Sequence, residues 1–328
     1  MPIDWKPFVG LVQRHQRFLL TTHVRPDGDG IGSILALGET LQQMGKEAHL
    51  VIPTSFPPRY RFLDPEQRIE IFSKPGDTWR NADAAIVMDT GTWNQLGDFG
   101  PFLRGLSAAK VVIDHHQTQD DLGALRLVDA SAEATGRLCF EAIQALGQPL
   151  SEKAANALLV AVGMDTGWFH HGNTTAATLA LASELVRAGA RLSVTYDQLF
   201  ENNPLPRLKL TGLVLERLQT TCGGQVAHTE IRLADYLATG ATPADSEDLV
   251  NYTRSVAGVE VGLLFMEQPK GGIKVSFRSR SKVDVARLAE QFGGGGHLRA
   301  SGATVQGSIE EVRARVLDAV AVALGGRD

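Results

Sequence analysis

The chain has 328 residues, 43% hydrophobic and 21% charged, with a formal net charge of −5, the profile of a soluble globular protein with room for two domains. From residue 205 onward 15 Lys and Arg stand against 14 Asp and Glu, and before it 17 against 23. Neither half is basic enough for a long nucleic-acid track, so a small anionic substrate is favoured over a polymer. No apolar run reaches the length of a membrane span, the start MPIDWKPFVG lacks a secretory pattern, and Cys139 and Cys222 offer no metal-site spacing; a reducing, cytoplasmic setting is expected.

In chain order, RFLLTTHV (17–24), AHLVIPT (48–54), AAIVMDT (84–90) and AKVVIDHH (109–116) read as buried strands. Between the first two, GSILALGETLQQMG (32–45) has helical periodicity and stops at Gly45, and this alternation predicts an α/β domain built on a parallel sheet. Further helices are expected at 151–167, capped by Ser151, and at 173–190, capped by Asn173 or Thr174. The segment 191–209 carries an Asn-Asn-Pro-Leu-Pro break and is expected to be a linker between a domain at 1–190 and a smaller α/β domain at 210–328. In that second part CGGQVAHTEIRL and VEVGLLFMEQPKGGIKVSFRSR alternate around Gly-rich turns, as hairpins do. A last helix begins behind Ser308, with Glu311 three residues on in a capping-box pattern.

Three of these strands finish on groups able to ligate a metal. The first ends in HVRPDGDG, with His23, Asp27 and Asp29; the third ends in Asp89; the fourth ends in Asp114-His115-His116. Asp165 follows an apolar helix. One Asp after a strand is usually a turn former or a helix cap, but ligands of open α/β sheets gather beyond the carboxyl ends of the strands, where these clusters would converge. Neighbouring carboxylates repel unless a cation lies between them. The converging set, His23, Asp27, Asp29, Asp89, His115 and Asp165, is too large for one tetrahedral zinc. It suits two divalent ions with a bridging carboxylate, Mn²⁺ first and Mg²⁺ or Co²⁺ as substitutes, because the donors are N and O without sulfur. Two such ions activating a hydroxide are a common device for phosphoester hydrolysis.

HVRPDGDGIGS, VMDTG, IDHH and GMDTGWF resemble the ordered motifs of the DHH phosphoesterase superfamily, and KVSFRSR with FGGGGHLRASG is similar to its DHH-associated C-terminal domain. The likeness spans nearly the whole chain and is strongest to the nanoRNase and pAp phosphatase group. It implies a parallel-sheet DHH domain joined to a smaller α/β domain, with the active site in the cleft between them. It implies that His23 and Asp27 bind one ion, that Asp29, His115 and Asp165 bind the other, and that Asp89 bridges both. His116 would then stabilise the phosphate or protonate the leaving group, and Asp114 would orient a neighbouring imidazole. The implied substrates are short RNA oligonucleotides and the 3′-phosphate of adenosine 3′,5′-bisphosphate.

In the C-terminal part, Gly294, Gly295 and Gly296 allow a phosphate to approach the backbone closely, His297 follows them, and Arg278 ends a strand upstream. An Arg fork recognises phosphate bidentately, so Arg278 and His297 are expected to anchor a terminal phosphate or a base. An anchor of that kind would select dinucleotides over long strands. Within the superfamily, cyclic-di-AMP or linear-dinucleotide phosphodiesterase activity and single-strand exonuclease activity stay open. A non-catalytic nucleotide-binding module would require a damaged metal set, and this one is intact. A homodimer is compatible with the sequence, which offers no apolar stripe to prove it.

Overall fold

The computed structural model describes residues 3–72 and 77–325. The chain divides into two compact units, Met1–Asn202 and Asn203–Asp328. The first runs α1 (Lys6–Arg14), β1 (Arg17–Thr21), α2 (Gly28–Gln43), β2 (Glu47–Ile52), β3 (Ile69–Ile71), α3 (Asp77–Arg80), β4 (Ala84–Met88), α4 (Phe99–Gly105), β5 (Ala109–Asp114), β6 (Leu125–Val128), α5 (Thr135–Ala145), α6 (Glu152–Asp165), α7 (Ala176–Arg187) and α8 (Leu192–Tyr196). Its six strands are all parallel in the order β3-β2-β1-β4-β5-β6.

Burial on both faces explains why the strands read as continuous apolar runs. Phe18, Leu20, Ile86, Met88, Val111 and Ile113 pack with α1, α2, α5 and α6. The alternate residues Leu19, Ala85, Val87 and Val112 pack with Trp79, Phe99 and Leu103 of α3 and α4. The order reverses between β1 and β4, so the carboxyl ends of β1, β4 and β5 surround a topological switch point, where open α/β sheets bind ligands.

The first of the four expected strands ends three residues before the expected boundary and the other three end two residues before it, which leaves His23, Asp89 and His115 in the loops just past β1, β4 and β5. The helix expected from residue 32 starts at Gly28. Asp27 is its N-cap, accepting from the backbone N–H groups of Asp29 at 3.0 Å and Gly30 at 3.1 Å. The Asp-Gly-Asp-Gly run looks like a loop in sequence but is a capped first turn, where a short acceptor side chain satisfies orphan N–H groups. Ser151 caps α6 as expected, through Ala154 N–H at 3.1 Å. The next helix begins later than expected, at Ala176, and its cap is Thr175 paired reciprocally with Thr178 in place of Asn173 or Thr174.

A π-helical turn at Asp197–Glu201 completes the first unit after α8. The second unit runs α9 (Leu205–Glu216), β7 (Gln219–Thr221), β8 (Val226–Ile231), α10 (Leu233–Thr239), α11 (Asn251–Arg254), β9 (Val261–Glu267), β10 (Ile273–Ser279), α12 (Val285–Glu290), β11 (Gly295–His297), β12 (Ala300–Val305) and α13 (Ile309–Ala323). The sheet order is β11-β12-β10-β9-β8-β7. Only β8 and β9 pair in parallel among the described strands of this sheet, which is otherwise antiparallel. The expected β9–β10 hairpin turns at Gly271 and Gly272, whose φ angles of +86° and +80° favour glycine. Helices α12 and α13 cover one face of the sheet, and Leu210 and Val214 of α9 cover the other with Ile231, Leu264 and Met266. Ser308 and Glu311 form the capping box expected at the start of α13.

Candidate metal centre

The loop after β1 is held at its base, since Val24 N–H donates to Gln95 O at 2.6 Å and Arg25 N–H to the Thr54 hydroxyl at 2.7 Å. His23 Nδ1 donates to Val24 O at 3.0 Å, which leaves Nε2 to face inward. That atom lies 3.7 Å from Asp27 Oδ1 and 3.4 Å from Asp89 Oδ2. On the other side His115 Nδ1 donates to Ala132 O at 3.2 Å. His115 Nε2 lies 3.2 Å from Asp165 Oδ2, 3.6 Å from Asp89 Oδ1 and 3.8 Å from Asp29 Oδ2. A backbone carbonyl behind each ring fixes the tautomer and orientation that a metal-binding imidazole needs.

Asp89 stands between the two imidazoles. It is 3% exposed and adopts φ +63°, a conformation disfavoured for a residue with a Cβ and typical of strained functional positions. Its N–H donates to Ile113 O at 3.0 Å, so the strained residue is tied to β5. The Thr135 hydroxyl donates to Asp89 Oδ1 at 3.1 Å.

Asp29 is fully buried in the first turn of α2. Its carboxylate accepts from the N–H groups of Thr135 at 2.6 Å and Gly136 at 2.8 Å and from the Ser33 hydroxyl at 3.3 Å. Ala134, the N-cap of α5, has no capping side chain, so Asp29 satisfies that helix's first N–H groups from another element. Thr135, Gly136 and Ser33 were not among the residues expected at the site. Their sequence signal is faint, a helix start in EATG with no side chain of its own to cap it.

Crowding governs the electrostatics. Burial, followed by the charges of Asp89, Asp165 and Asp27, pushes the Asp29 carboxyl well above the ordinary range. Burial and the Asp27 and Asp165 charges outweigh His23 and lift Asp89 to about 6. Burial disfavours charge on His23, yet the Asp27 and Asp89 carboxylates raise it to about 11. Burial likewise opposes charge on His115, and Asp165 and Asp89 raise it to about 9. Acids that resist losing a proton beside bases that resist giving one up define a site short of positive charge, which ligated cations would supply. Among the described residues, three groups each bring ligating atoms within 4.8 Å of one another: His23, Asp27 and Asp89; Asp29, His115 and Asp165; and Asp89, His115 and His116. The donor chemistry fits divalent metal ions, and the six residues singled out in the sequence are brought together with Asp89 shared between groups.

His116 has the most open ring of the set, its side chain 43% exposed. Its Nδ1 donates to Oδ1 of the fully buried Asp114 at 2.8 Å, and this bond is the first cause of its raised pKa. Asp114 therefore orients His116 of the two adjacent imidazoles.

In the second unit, register sets Gly262, Arg278, Ala300 and His297 in one row across β9, β10, β12 and β11. The side chain of His297 lies outside the described residues. The Arg278 guanidinium donates to Phe277 O at 3.1 Å, and burial lowers its pKa. No carboxylate ion-pairs with Arg278 among the described residues. Arg280 instead braces backbone through the carbonyls of Val259 and Arg254, and Arg299 donates to the Ser279 hydroxyl and the Val283 carbonyl. The glycines also answer to packing: a Cβ on Gly294 would come within 2.2 Å of Gly302 O, and one on Gly296 within 2.6 Å of Ser301 Cα, whereas Gly295 faces open space.

Comparisons with known proteins cover both units. The profile described as the DHH family, N-terminal domain, matches residues 17–163, and that of the DHHA1 domain matches 223–324. The bifunctional oligoribonuclease and PAP phosphatase NrnA of Thermus thermophilus is 34% identical over 92% of this chain and 88% of its own length. The Bacillus subtilis protein of the same name is 30% identical over 90% of this chain and 91% of its own length. Among solved structures, an exopolyphosphatase-related protein from Bacteroides fragilis superposes with a TM-score of 0.91 at 25% identity, over 98% of this chain and 95% of that one. RecJ of Thermus thermophilus in complex with Mn²⁺, at 14% identity and a TM-score of 0.56 over all of this chain and 56% of RecJ, shares the fold.

Proposed function

The chain belongs to the DHH family and is a phosphoester hydrolase, and from that premise we propose that it cleaves short RNA oligonucleotides and removes the 3′-phosphate of adenosine 3′,5′-bisphosphate. The observation that carries the reading is the set of three overlapping His/Asp groups, two of which share Asp89 and two His115. The named activities of relatives that match over about nine-tenths of the chain support the choice of substrate. The near-neutral second unit agrees, because a long strand would require many basic contacts.

In this reading His23 and Asp27 would hold one divalent ion, Asp29, His115 and Asp165 would hold a second, and Asp89 would serve both, with Mn²⁺ favoured and Mg²⁺ or Co²⁺ as substitutes. When bound, the ions lower the pKa of the attacking water and offset charge on the phosphoryl group. The protein's part is to keep the donors in place: backbone carbonyls orient His23 and His115, and the α5 N-terminus orients Asp29. His116, with Nδ1 committed to Asp114, turns Nε2 toward the leaving oxygen and supplies its proton. Arg278, the backbone of Gly294, Gly295 and Gly296, and His297 bind substrate phosphate or base.

The test is an assay with added Mn²⁺ in which 5′-labelled RNA 2-mers, 5-mers and 24-mers are compared with adenosine 3′,5′-bisphosphate and cyclic-di-AMP. Rapid loss of the 2-mer and the bisphosphate, with the 24-mer spared, is expected. Equal rates on 2-mers and 24-mers would overturn the short-substrate reading, and preferential attack on cyclic-di-AMP would favour the cyclic-dinucleotide alternative.

A further inference from the structure

Asp114 is fully buried, and its carboxylate needs a donor on each oxygen to remain where it is. Oδ1 accepts from His116 twice, from Nδ1 at 2.8 Å and from the backbone N–H at 3.2 Å. Oδ2 accepts from Gln119 Nε2 at 2.5 Å, and the same amide nitrogen donates to His116 O at 3.0 Å. One side-chain amide therefore grips both the carboxylate that aims His116 and the backbone of His116 itself. The amide cannot be reversed profitably, since its oxygen would then face a carboxylate and a carbonyl.

Gln119 is itself held by the loop that follows Asp89. Gly91 and Gln119 form an isolated parallel bridge, and Asp120 N–H donates to Gly91 O at 2.8 Å. Trp93 N–H donates to Asp120 Oδ2 at 2.8 Å. The Gln119 amide oxygen is buried, and a Cβ on Gly91 would fall 1.7 Å from it. Only glycine at position 91 leaves the amide its place, and the backbone bridge with the Asp120 contacts fastens the segment after the shared carboxylate to the segment after the Asp-His-His run.

We propose that Gln119 is a positioning residue for hydrolysis: it fixes the Asp114 carboxylate, and through it the tautomer and aim of His116, without touching substrate or metal. Without the amide, Asp114 Oδ2 loses its donor, and the carboxylate rotates in search of another. The Nδ1–H···Oδ1 bond then no longer selects a single imidazole orientation. This inference rests on the role assigned above to His116 in leaving-group protonation.

Gln119→Met keeps the length of the side chain and removes both hydrogen bonds. Its kcat should fall roughly tenfold or more, the scale of other losses of an outer orienting partner, with KM and the Mn²⁺ requirement unchanged. The loss should shrink when the leaving group is p-nitrophenolate, which needs no proton, and should vanish in a His116→Ala background, because residues acting as one unit are non-additive. An equal fractional loss in that background, or a change confined to KM or metal affinity, would overturn the proposal. Imidazole ¹⁵N spectra with Mg²⁺ present give a readout independent of turnover: one His116 tautomer in the native protein and a mixture in Gln119→Met, whereas identical spectra would refute the positioning role. Gln119→Leu serves if the Met variant fails to fold. A native protein inactive on every phosphoester would sink the functional reading, while the spectra would still decide the role of Gln119.

Discussion

Two buried carboxylates, one in each unit, meet opposite surroundings. Asp89 lies among Asp27, Asp29 and Asp165, and its pKa is lifted to about 6. Glu260 pays a burial penalty too, yet it accepts from the N–H groups of Ser281, Lys282 and Val283 and from the Ser281 hydroxyl. Those donors take it down to about 2. A carboxylate ringed by backbone donors is complete within the fold, whereas one ringed by other carboxylates is complete only with a cation from outside. Asp29 shows that donors alone do not decide the matter. It accepts two backbone N–H groups and a hydroxyl, but burial and three neighbouring charges still raise it.

The largest expected effect breaks the crowded site. Asp89→Ala should cut turnover by at least about 10³-fold, equivalent to about 4 kcal/mol of transition-state stabilisation, with bound metal falling in parallel and circular dichroism unchanged. Retained activity with a full metal complement would show that Asp89 is not the shared ligand. Next comes a contrast within the glycine run. Gly294→Ala meets Gly302 O and should destabilise the second unit by roughly 2–3 kcal/mol. Gly295→Ala meets nothing within 4 Å and should leave the melting temperature unchanged. A raised KM in the Gly295 variant at constant melting temperature would mark direct contact with substrate.

A smaller effect is expected for Arg278→Ala, about a tenfold rise in KM with kcat nearly unchanged, because anchoring is ground-state binding. A fall in kcat at constant KM would instead put Arg278 to work on the transition state. The smallest concerns Glu260→Gln, roughly 1 kcal/mol at pH 7 by loss of charged hydrogen bonds. The sign follows from the lowered pKa. The contribution of Glu260 is complete above its unfolded value of 4.5 and fades as pH falls toward about 2. The difference in melting temperature between native and variant should therefore close between pH 5 and pH 2; a gap independent of pH would refute this account.

Strand placement and the candidate metal set were legible because both have local signatures. A strand covered on both faces must be an apolar run, and Asp or His directly after such a run stands out from turn-forming residues once several runs share the pattern. The all-parallel order β3-β2-β1-β4-β5-β6 then carries His23, Asp89 and His115 to one edge. The start of α2 was misread because Pro, Asp and Gly serve loops and helix N-termini equally well, and only the hydrogen bonds from Asp29 and Gly30 to Asp27 decide between them.

By itself, then, the sequence determined the alternation of strands and helices, the chemical identity of the crowded donors and their order along the chain, since periodicity and residue type act over a few positions. Tertiary structure decided which groups complete them. The α5 N-terminus under Asp29 is 106 residues away in sequence, and Gln119 reaches its place only because Gly91, on a different strand's loop, is bare. The roles of Gly294 and Gly296 likewise depend on the close approach of β12. Such partners are chosen by proximity in the folded chain, and hydrogen bonds and steric fit between distant segments leave no period in the sequence to read.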